Sequence, residues 1–430
     1  MKFSQDQINA IEGICAELVH GASPNYHSIA VLTGSAGTGK TTVVKELINK
    51  VETESPITTI ALCATTHRAA TVLENITSQK VTTAHALFKL RPTATKTGKE
   101  VLTQTSKCDI PVGSLVIIDE ASMIGNEFLK AIVDIVKDKF LKILFIGDPF
   151  QLPPPKDKCS IFDGSLYTFK LTTIHRQAGG NPVLDKANQF REYMEGIRLE
   201  EPVIETCINP KGEGIHILSH EDFISKFVAK YMDYSAGAEV DTPLCTFTNE
   251  SAISYNNMVR KAAFFLDDII EPFYKGERLI SNSAVMEQDK TILTNNEIVH
   301  VQSFQEGTAH DIPGYYITVH GTYDKYLRSS TKKVFSPKTR YAADSVLHEL
   351  KKEAIRKKCK QTWKEFYAVK NSLADLRPPF AGTTHKAQGG TFPAVFIDKI
   401  NINKCKDKAT RARLFYVALT RASENVYINS

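Results

Sequence analysis

The chain has 430 residues, with 53 Lys+Arg against 48 Asp+Glu and a formal net charge of +5. Hydrophobic residues at 42% and charged residues at 23% exclude disorder over most of its length. A single core rarely grows past roughly 250–300 residues, so two or more domains are expected. The opening MKFSQDQINA has no apolar core behind its basic residue and does not read as a signal peptide. No apolar run approaches the roughly 20 residues that span a bilayer, so no membrane role is expected. The cysteines at 15, 63, 108, 159, 207, 245, 359 and 405 are scattered without CxxC pairing. That argues against a zinc site or disulfide framework and for a reducing, cytoplasmic setting.

The charge is unevenly placed. Residues 1–319 carry 30 basic and 39 acidic residues, a net of −9, whereas residues 320–430 carry 23 and 9, a net of +14. Lys351–Lys370 alone holds eight basic and two acidic residues. Such asymmetry suggests a polyanion partner, although an isolated basic run equally describes a solvated helix face.

In chain order, Ser28–Thr33 is a short apolar run with strand character, leading into Gly34-Ser-Ala-Gly-Thr-Gly-Lys40-Thr41 and then a helical pattern. This is GxxxxGK[ST] in its strand–loop–helix setting. Gly34, Ala36, Gly37, Thr38 and Gly39 would curl backbone N–H groups around phosphates, with Thr42 in the first helical turn. Lys40 would reach the β/γ-phosphates of ATP, and Thr41 would ligate Mg²⁺. Next, Ser114-Leu-Val-Ile-Ile-Asp119-Glu120 reads as a buried parallel strand that delivers two carboxylates to its C-terminal edge. Asp119 would hold Mg²⁺, and Glu120 would polarise the attacking water. A third strand opens into Gly-Asp148-Pro-Phe-Gln151, where Gln151 could sense the γ-phosphate; a plain prolyl turn is the alternative. Arg176, in LTTIHRQ, reads on its own as a surface residue.

The ordered series TGSAGTGKT, IIDEAS, GDPFQLPP, IHRQ, THKAQGGTF and LFYVALTRASENV resembles the successive motifs of superfamily 1 helicases. The resemblance runs nearly end to end and is strongest to the RecD-like 5′→3′ branch. It implies an α/β fold of two RecA-like P-loop domains. The first would comprise residues 1–88 and 113–178, with a β-ribbon pin inserted at 89–112. The second would comprise 179–275 and 377–430, with an SH3-like β-barrel and helical arm inserted at 276–376. It also implies that Gln7 reads adenine, that Arg176 and Arg421 are arginine fingers, and that Lys386, Gln388 and Gly389 line the second domain's side of the cleft. One finger from each domain would meet the γ-phosphate only on closure, stabilising charge on the transferring phosphoryl group.

Thr65, Thr66, His67, Thr83 and His85 from the first domain, and Thr246, Asn249, Thr384 and His385 from the second, are the implied DNA-contacting residues. Hydroxyls and imidazoles suit phosphate and sugar contacts that fix position without reading bases. Thr65 stands where the family has Pro, and Glu250 where a basic residue would help. Lys89–Val112 has turn punctuation around a β-prone run and fits the ribbon. A small bacteriophage member of the branch carries an aromatic near the tip, where Thr103 stands here. Residues 276–340 alternate in a β-like pattern, and Asp344–Leu376 reads as a helix with Trp363 as a packing residue.

The implied activity is an ATP-dependent helicase moving 5′→3′ on single-stranded DNA and opening overhang or forked duplexes in phage replication or recombination. A monomer is expected, with single-stranded-DNA-binding or recombination proteins as possible partners and the host cytoplasm as its location if phage-encoded. A translocase with little unwinding is the first alternative, since the pin departs from the pattern. A P-loop kinase of a small substrate is the second, but it leaves Arg421 and the basic end unexplained.

Overall fold

The computed structural model describes residues 3–21, 28–55, 59–95, 100–154, 157–173, 180–231, 242–268, 271–287, 290–321 and 331–430. The first half runs α1 (Gln5–Ile14), β1 (Ile29–Gly34), α2 (Lys40–Glu54), β2 (Ile60–Ala64), α3 (His67–Thr77), β3 (Val81–Thr83) and α4 (Ala84–Leu87). A ribbon of β4 (Leu90–Ala94) and β5 (Glu100–Gln104) follows, then β6 (Leu115–Asp119), α5 (Asn126–Lys139), β7 (Lys142–Gly147) and β8 (Tyr167–Leu171). Apart from the ribbon, these strands form one parallel sheet in the order β3-β2-β6-β7-β1-β8.

The strand sequences explain that sheet. Ala30, Leu32, Leu115, Ile117, Leu144 and Ile146 enter one apolar cluster, while Val31, Val116, Ile118, Ile143 and Phe145 enter another on the opposite face. A strand covered on both faces is continuously apolar, and all of these residues are buried. Because β1, β2, β6 and β7 run parallel, Gly34, Ala64, Asp119 and Gly147 all emerge on one edge. That edge is where a parallel α/β sheet presents its ligand site.

The ribbon pairs Leu90 with Gln104 at one end and Ala94 with Glu100 at the other. Residues 96–99 fall outside the described set. Thr103 was expected near the tip, but the antiparallel register puts it opposite Arg91, in the stem. Its hydroxyl lies 2.9 Å from that of Thr93.

The second half runs α6 (Pro182–Met194), β9 (Cys207–Ile208), β10 (Gly214–Leu218), α7 (His220–Ala229), β11 (Leu244–Thr246) and α8 (Asn249–Ala263). An insert then contributes β12 (Arg278–Ser281), β13 (Val285–Glu287), β14 (Lys290–Leu293), β15 (Ile298–Ala309), β16 (Ile312–Gly321) and β17 (Thr331–Pro337). It continues with α9 (Arg340–Lys357), α10 (Lys360–Ser372) and β18 (Leu376–Arg377). The chain returns through β19 (Ala381–Thr383), β20 (Phe392–Ile397), α11 (Lys399–Ile402), α12 (Lys408–Thr420) and β21 (Ala422–Asn429). The second sheet has the order β19-β11-β20-β21-β10-β9 and is parallel except for β9.

The insert forms a five-stranded antiparallel sheet, β17-β16-β15-β12-β18, and a separate β13–β14 ribbon around one apolar core. Its arm was expected as one helix. Instead Lys358 adopts a left-handed backbone (φ 49°) and splits it into the α9–α10 hairpin. Ala354, Trp363 and Phe366 close the hairpin, with Trp363 edge-on to Phe366 at 5.7 Å, as expected of a packing residue. Helix α10 comes against β4 of the first-half ribbon.

Candidate nucleotide and nucleic-acid site

The loop from β1 to α2 is shaped for phosphate. Gly37 and Gly39 hold φ of 84° and 78°, a region that favours glycine. A Cβ on Gly34 would fall 2.5 Å from Thr38 Oγ1, so the loop closes tightly there. The Thr38 hydroxyl donates to the Ser35 carbonyl at 2.9 Å and fixes the turn. Thr41 and Thr42 lie in the first turn of α2, which contains no acidic residue, so the positive pole of the helix is left for an anion. Lys40 folds back, its Nζ donating to the carbonyls of Gly34 (2.7 Å) and Ser35 (3.1 Å). Phosphate oxygens would take the place of those acceptors.

Asp119 ends β6 at the same edge. Burial and the neighbouring Glu120 push its pKa up to about 6, against the amide of Glu120 and the Lys40 ammonium, which lower it. A carboxylate held above its usual range gains from a cation beside it. Thr41 hydroxyl and Asp119 carboxylate are hard oxygen donors, the set Mg²⁺ takes beside phosphate and water. Glu120 has a left-handed backbone (φ 54°), which costs a non-glycine residue on the order of 1–3 kcal/mol and is characteristic of functional turns. The Thr65 hydroxyl donates to the Glu120 carbonyl at 3.1 Å, linking the expected DNA loop to the carboxylate strand.

Gln7 is buried, but its amide is already engaged. It accepts from the Ser4 N–H at 3.1 Å as part of a helix cap, and Nε2 donates to the Thr38 carbonyl at 3.1 Å. It therefore touches the phosphate loop from the α1 side. Arg176 lies outside the described residues.

The second sheet's residues face the first across a cleft. Gln388 is buried and donates from Nε2 to Gln151 Oε1 (3.4 Å) and to the Leu152 carbonyl (3.1 Å). Gly389 approaches Thr66 and Ala69 so closely that a Cβ would sit 3.2 Å from Thr66 Oγ1. The Arg68 guanidinium stacks on Phe392 at 4.2 Å, a cross-cleft contact that the sequence does not signal. Arg421 is buried, donating to the Gly390 carbonyl (3.2 Å), with Nε unpartnered. On α12, Arg413 grips the carbonyls of Pro149 (2.6 Å) and Gln151 (2.8 Å).

Lys386 does not join Gln388 and Gly389. Thr384–Ala387 form a tight three-residue-per-turn helix, so successive side chains fan apart. Lys386 Nζ bonds instead to Asn282 Oδ1 at the root of the insert. Burial and Arg377, partly offset by Asp375, pull its pKa down to about 8.

Among the expected DNA residues, His67 and Asn249 are exposed, and Asn249 Oδ1 accepts from Arg377 at 3.2 Å. Thr66 and Thr83 cap α3 and α4, accepting from Ala69 N (3.2 Å) and Ala86 N (3.3 Å). His85 stacks one face on Phe128 at 4.2 Å, and His385 is half-buried. Thr246 and Thr384 are corrections: both have 0% exposure. The Thr384 hydroxyl donates to the Thr246 carbonyl at 3.1 Å, and that of Thr246 to the Thr248 carbonyl at 2.9 Å. They hold the strand-end loop together and present no hydroxyl to a strand of DNA.

The described cysteines are all free thiols, and no cluster of His, Cys, Asp and Glu for a metal occurs among the described residues. No described helix is long and apolar enough to cross a membrane.

Two parallel-stranded sheets, the first ending in a phosphate loop and the second seated on the neighbouring Pro149–Leu152 loop through Gln388 and Arg413, define a two-domain P-loop nucleoside triphosphatase. Residues 19–156 match the AAA domain family, and residues 379–429 match the UvrD-like helicase C-terminal domain. The chain is 24% identical to the ATP-dependent DNA helicase dda of Enterobacteria phage T4, covering 92% of this chain and 93% of that one. It is 30% identical to the ATP-dependent RecD2 DNA helicase of Deinococcus radiodurans, over 38% of this chain and 21% of that protein. A solved structure of two coordinating Pif1 helicases at forked double-stranded DNA shares the fold, with a TM-score of 0.53 at 18% identity, covering 100% of this chain and 92% of that one. The chain is similar to superfamily 1 DNA helicases of the RecD-like branch, the phage T4 protein among them.

Proposed function

We propose that this protein is an ATP-dependent DNA helicase that moves 5′→3′ on single-stranded DNA and opens overhang or forked duplexes. The observation that carries the reading is the pairing of Gln388 with Gln151, because it brings the second sheet onto the loop beside the phosphate site. Lys40 neutralises the β/γ-phosphates, and Thr41 and Asp119 would hold Mg²⁺, which would supply further charge neutralisation there. Glu120 orients the attacking water, while Gln151, Arg176 and Arg421 answer to the γ-phosphate. Gln7 reads the base after exchanging its present partners. ATP favours the closed cleft through contacts from both sides, and hydrolysis removes them.

The two motor domains take the boundaries given above, with the ribbon as pin and the insert as barrel and arm. Thr65, Thr66, His67, Thr83 and His85 face the strand on one side, and Asn249 and His385 on the other. The enzyme works as a monomer, and single-stranded-DNA-binding or recombination proteins are its partners. The arm's approach to the pin favours unwinding over bare translocation, since it braces the separating element.

ATP hydrolysis with and without single-stranded DNA, run beside unwinding of duplexes with 5′ or 3′ overhangs, tests the proposal. Lys40→Ala should abolish hydrolysis, and Glu120→Gln should trap ATP in a tight DNA complex. Hydrolysis indifferent to DNA would sink the motor reading, and unwinding only from 3′ overhangs would sink the polarity.

A further inference from the structure

Tyr416, in the middle of α12, is 1% exposed and packs in the apolar core of the second half, yet its hydroxyl crosses to the first. It donates to Asp148 Oδ2 at 2.5 Å and accepts from the Ala36 N–H of the phosphate loop at 3.4 Å. Asp148 is itself fully buried, and its other oxygen accepts from Phe150 N at 3.0 Å, fixing the turn that leads to Gln151. The described hydrogen bonds thus satisfy Asp148 through one backbone amide and one phenol. A buried carboxylate without such donors is expensive. Burial and the adjacent Asp148 raise the phenol pKa well above its usual value, so it stays a donor at any working pH.

Both neighbours in this node belong to loops at the cleft. Ala36 lies in the loop that would wrap the phosphates. Tyr416 is one turn from Arg413, which holds the same Asp148–Gln151 loop by its carbonyls, and α12 leads directly into Arg421. Packing of Phe190 on Phe415, 5.4 Å apart, joins α12 to α6, and Arg191 of α6 donates to Ser35 Oγ of the phosphate loop at 3.2 Å. The second half is therefore seated on the phosphate loop at two successive residues, Ser35 and Ala36.

We infer that Tyr416 is a positioning residue for ATP hydrolysis. Its hydroxyl ties the phosphate loop to Asp148 and so sets how the Gln151 loop and Arg421 stand toward the nucleotide. It touches no reacting atom. The inference rests on the ATP-hydrolysis reading above, and its effect is on the chemical step more than on binding.

The test is Tyr416→Phe, which keeps the ring and removes only the hydroxyl, assayed for ATP hydrolysis with saturating oligo(dT) and for thermal midpoint. The expected result is a fall in kcat of about tenfold with KM for ATP changed by less than about twofold, in protein still folded at the assay temperature. Asp148→Asn should lower kcat similarly, and the double variant should lose little more, because the two residues share one bond. A kcat within about twofold of the parent, or losses that multiply in the double variant, overturns the inference. If Tyr416→Phe does not fold, an unchanged kcat in Asp148→Asn overturns it alone. A parent protein whose hydrolysis ignores DNA refutes the motor reading but leaves the same comparison decisive on DNA-independent turnover. A parent that does not hydrolyse ATP refutes both.

Discussion

Asp6, in the first turn of α1, accepts from the backbone N–H groups of Thr172 (2.8 Å) and Thr173 (2.9 Å) just beyond β8. Burial acts to raise its pKa, but the Ser4 hydroxyl and the amides of Thr173 and Thr172 together outweigh it and hold the carboxyl well below the usual range. The folded state therefore prefers the ionised form. That stabilisation is complete above about pH 4 and is lost as the pH falls through the lowered folded value. Thermal melts should show Asp6→Asn less stable than the parent near pH 7, with the gap narrowing below about pH 4. A gap of equal size near pH 7 and pH 2 would contradict the account. At this scale the sequence was readable where backbone geometry restricts the residue, as at Gly37, Gly39 and the strand ending in Asp119-Glu120. It misled at Thr246 and Thr384, because nothing local tells a hydroxyl that faces solvent from one that satisfies a neighbouring carbonyl.

The insert is anchored to α8 by a buried ion pair. Arg260 reaches both oxygens of Glu277 (2.5 and 3.1 Å), and Glu277 also accepts from Tyr274 N at 2.9 Å. Glu277 is 2% exposed. Removing one partner leaves the other charge buried, so Glu277→Ala should cost about 3–5 kcal/mol, read by chemical denaturation. A loss below about 1 kcal/mol would show that the pair is dispensable. The arm shows where element-level reading stopped. Helical spacing continues through residues 344–376, whereas the left-handed Lys358 and extended Cys359 part the two helices and the second ends at Ser372, ahead of β18. Lysine carries no turn preference that would announce this; the fold imposes it by closing Trp363 onto Ala354.

Across the whole molecule, the strand-to-loop motifs revealed the first parallel sheet, because each motif contains its own strand and turn, while the second was implied by the family resemblance. The contacts between halves were not legible. Arg68 on Phe392, and Tyr416 on Asp148, join residues hundreds of positions apart that only the assembled topology brings together. The charge asymmetry has a direct consequence: the last 111 residues, at net +14, include the exposed lysines of the arm. If they follow DNA phosphates, DNA-stimulated hydrolysis should fall steeply between about 50 and 200 mM salt through counterion release. A flat response would remove the arm from the DNA path. The two ends of the arm lie side by side at its root. Chain departs after β17 (Thr331–Pro337), and Ala374 N donates back to the Phe335 carbonyl at 2.7 Å. Such a closed root makes arm length an independent variable: whole turns could be gained or lost at the Lys358 end without shifting the register of the sheet beneath. The span between the insert and the first-half ribbon is thus set by the length of this hairpin, like a boom on a fixed mast, and a change in that length is felt where α10 meets β4.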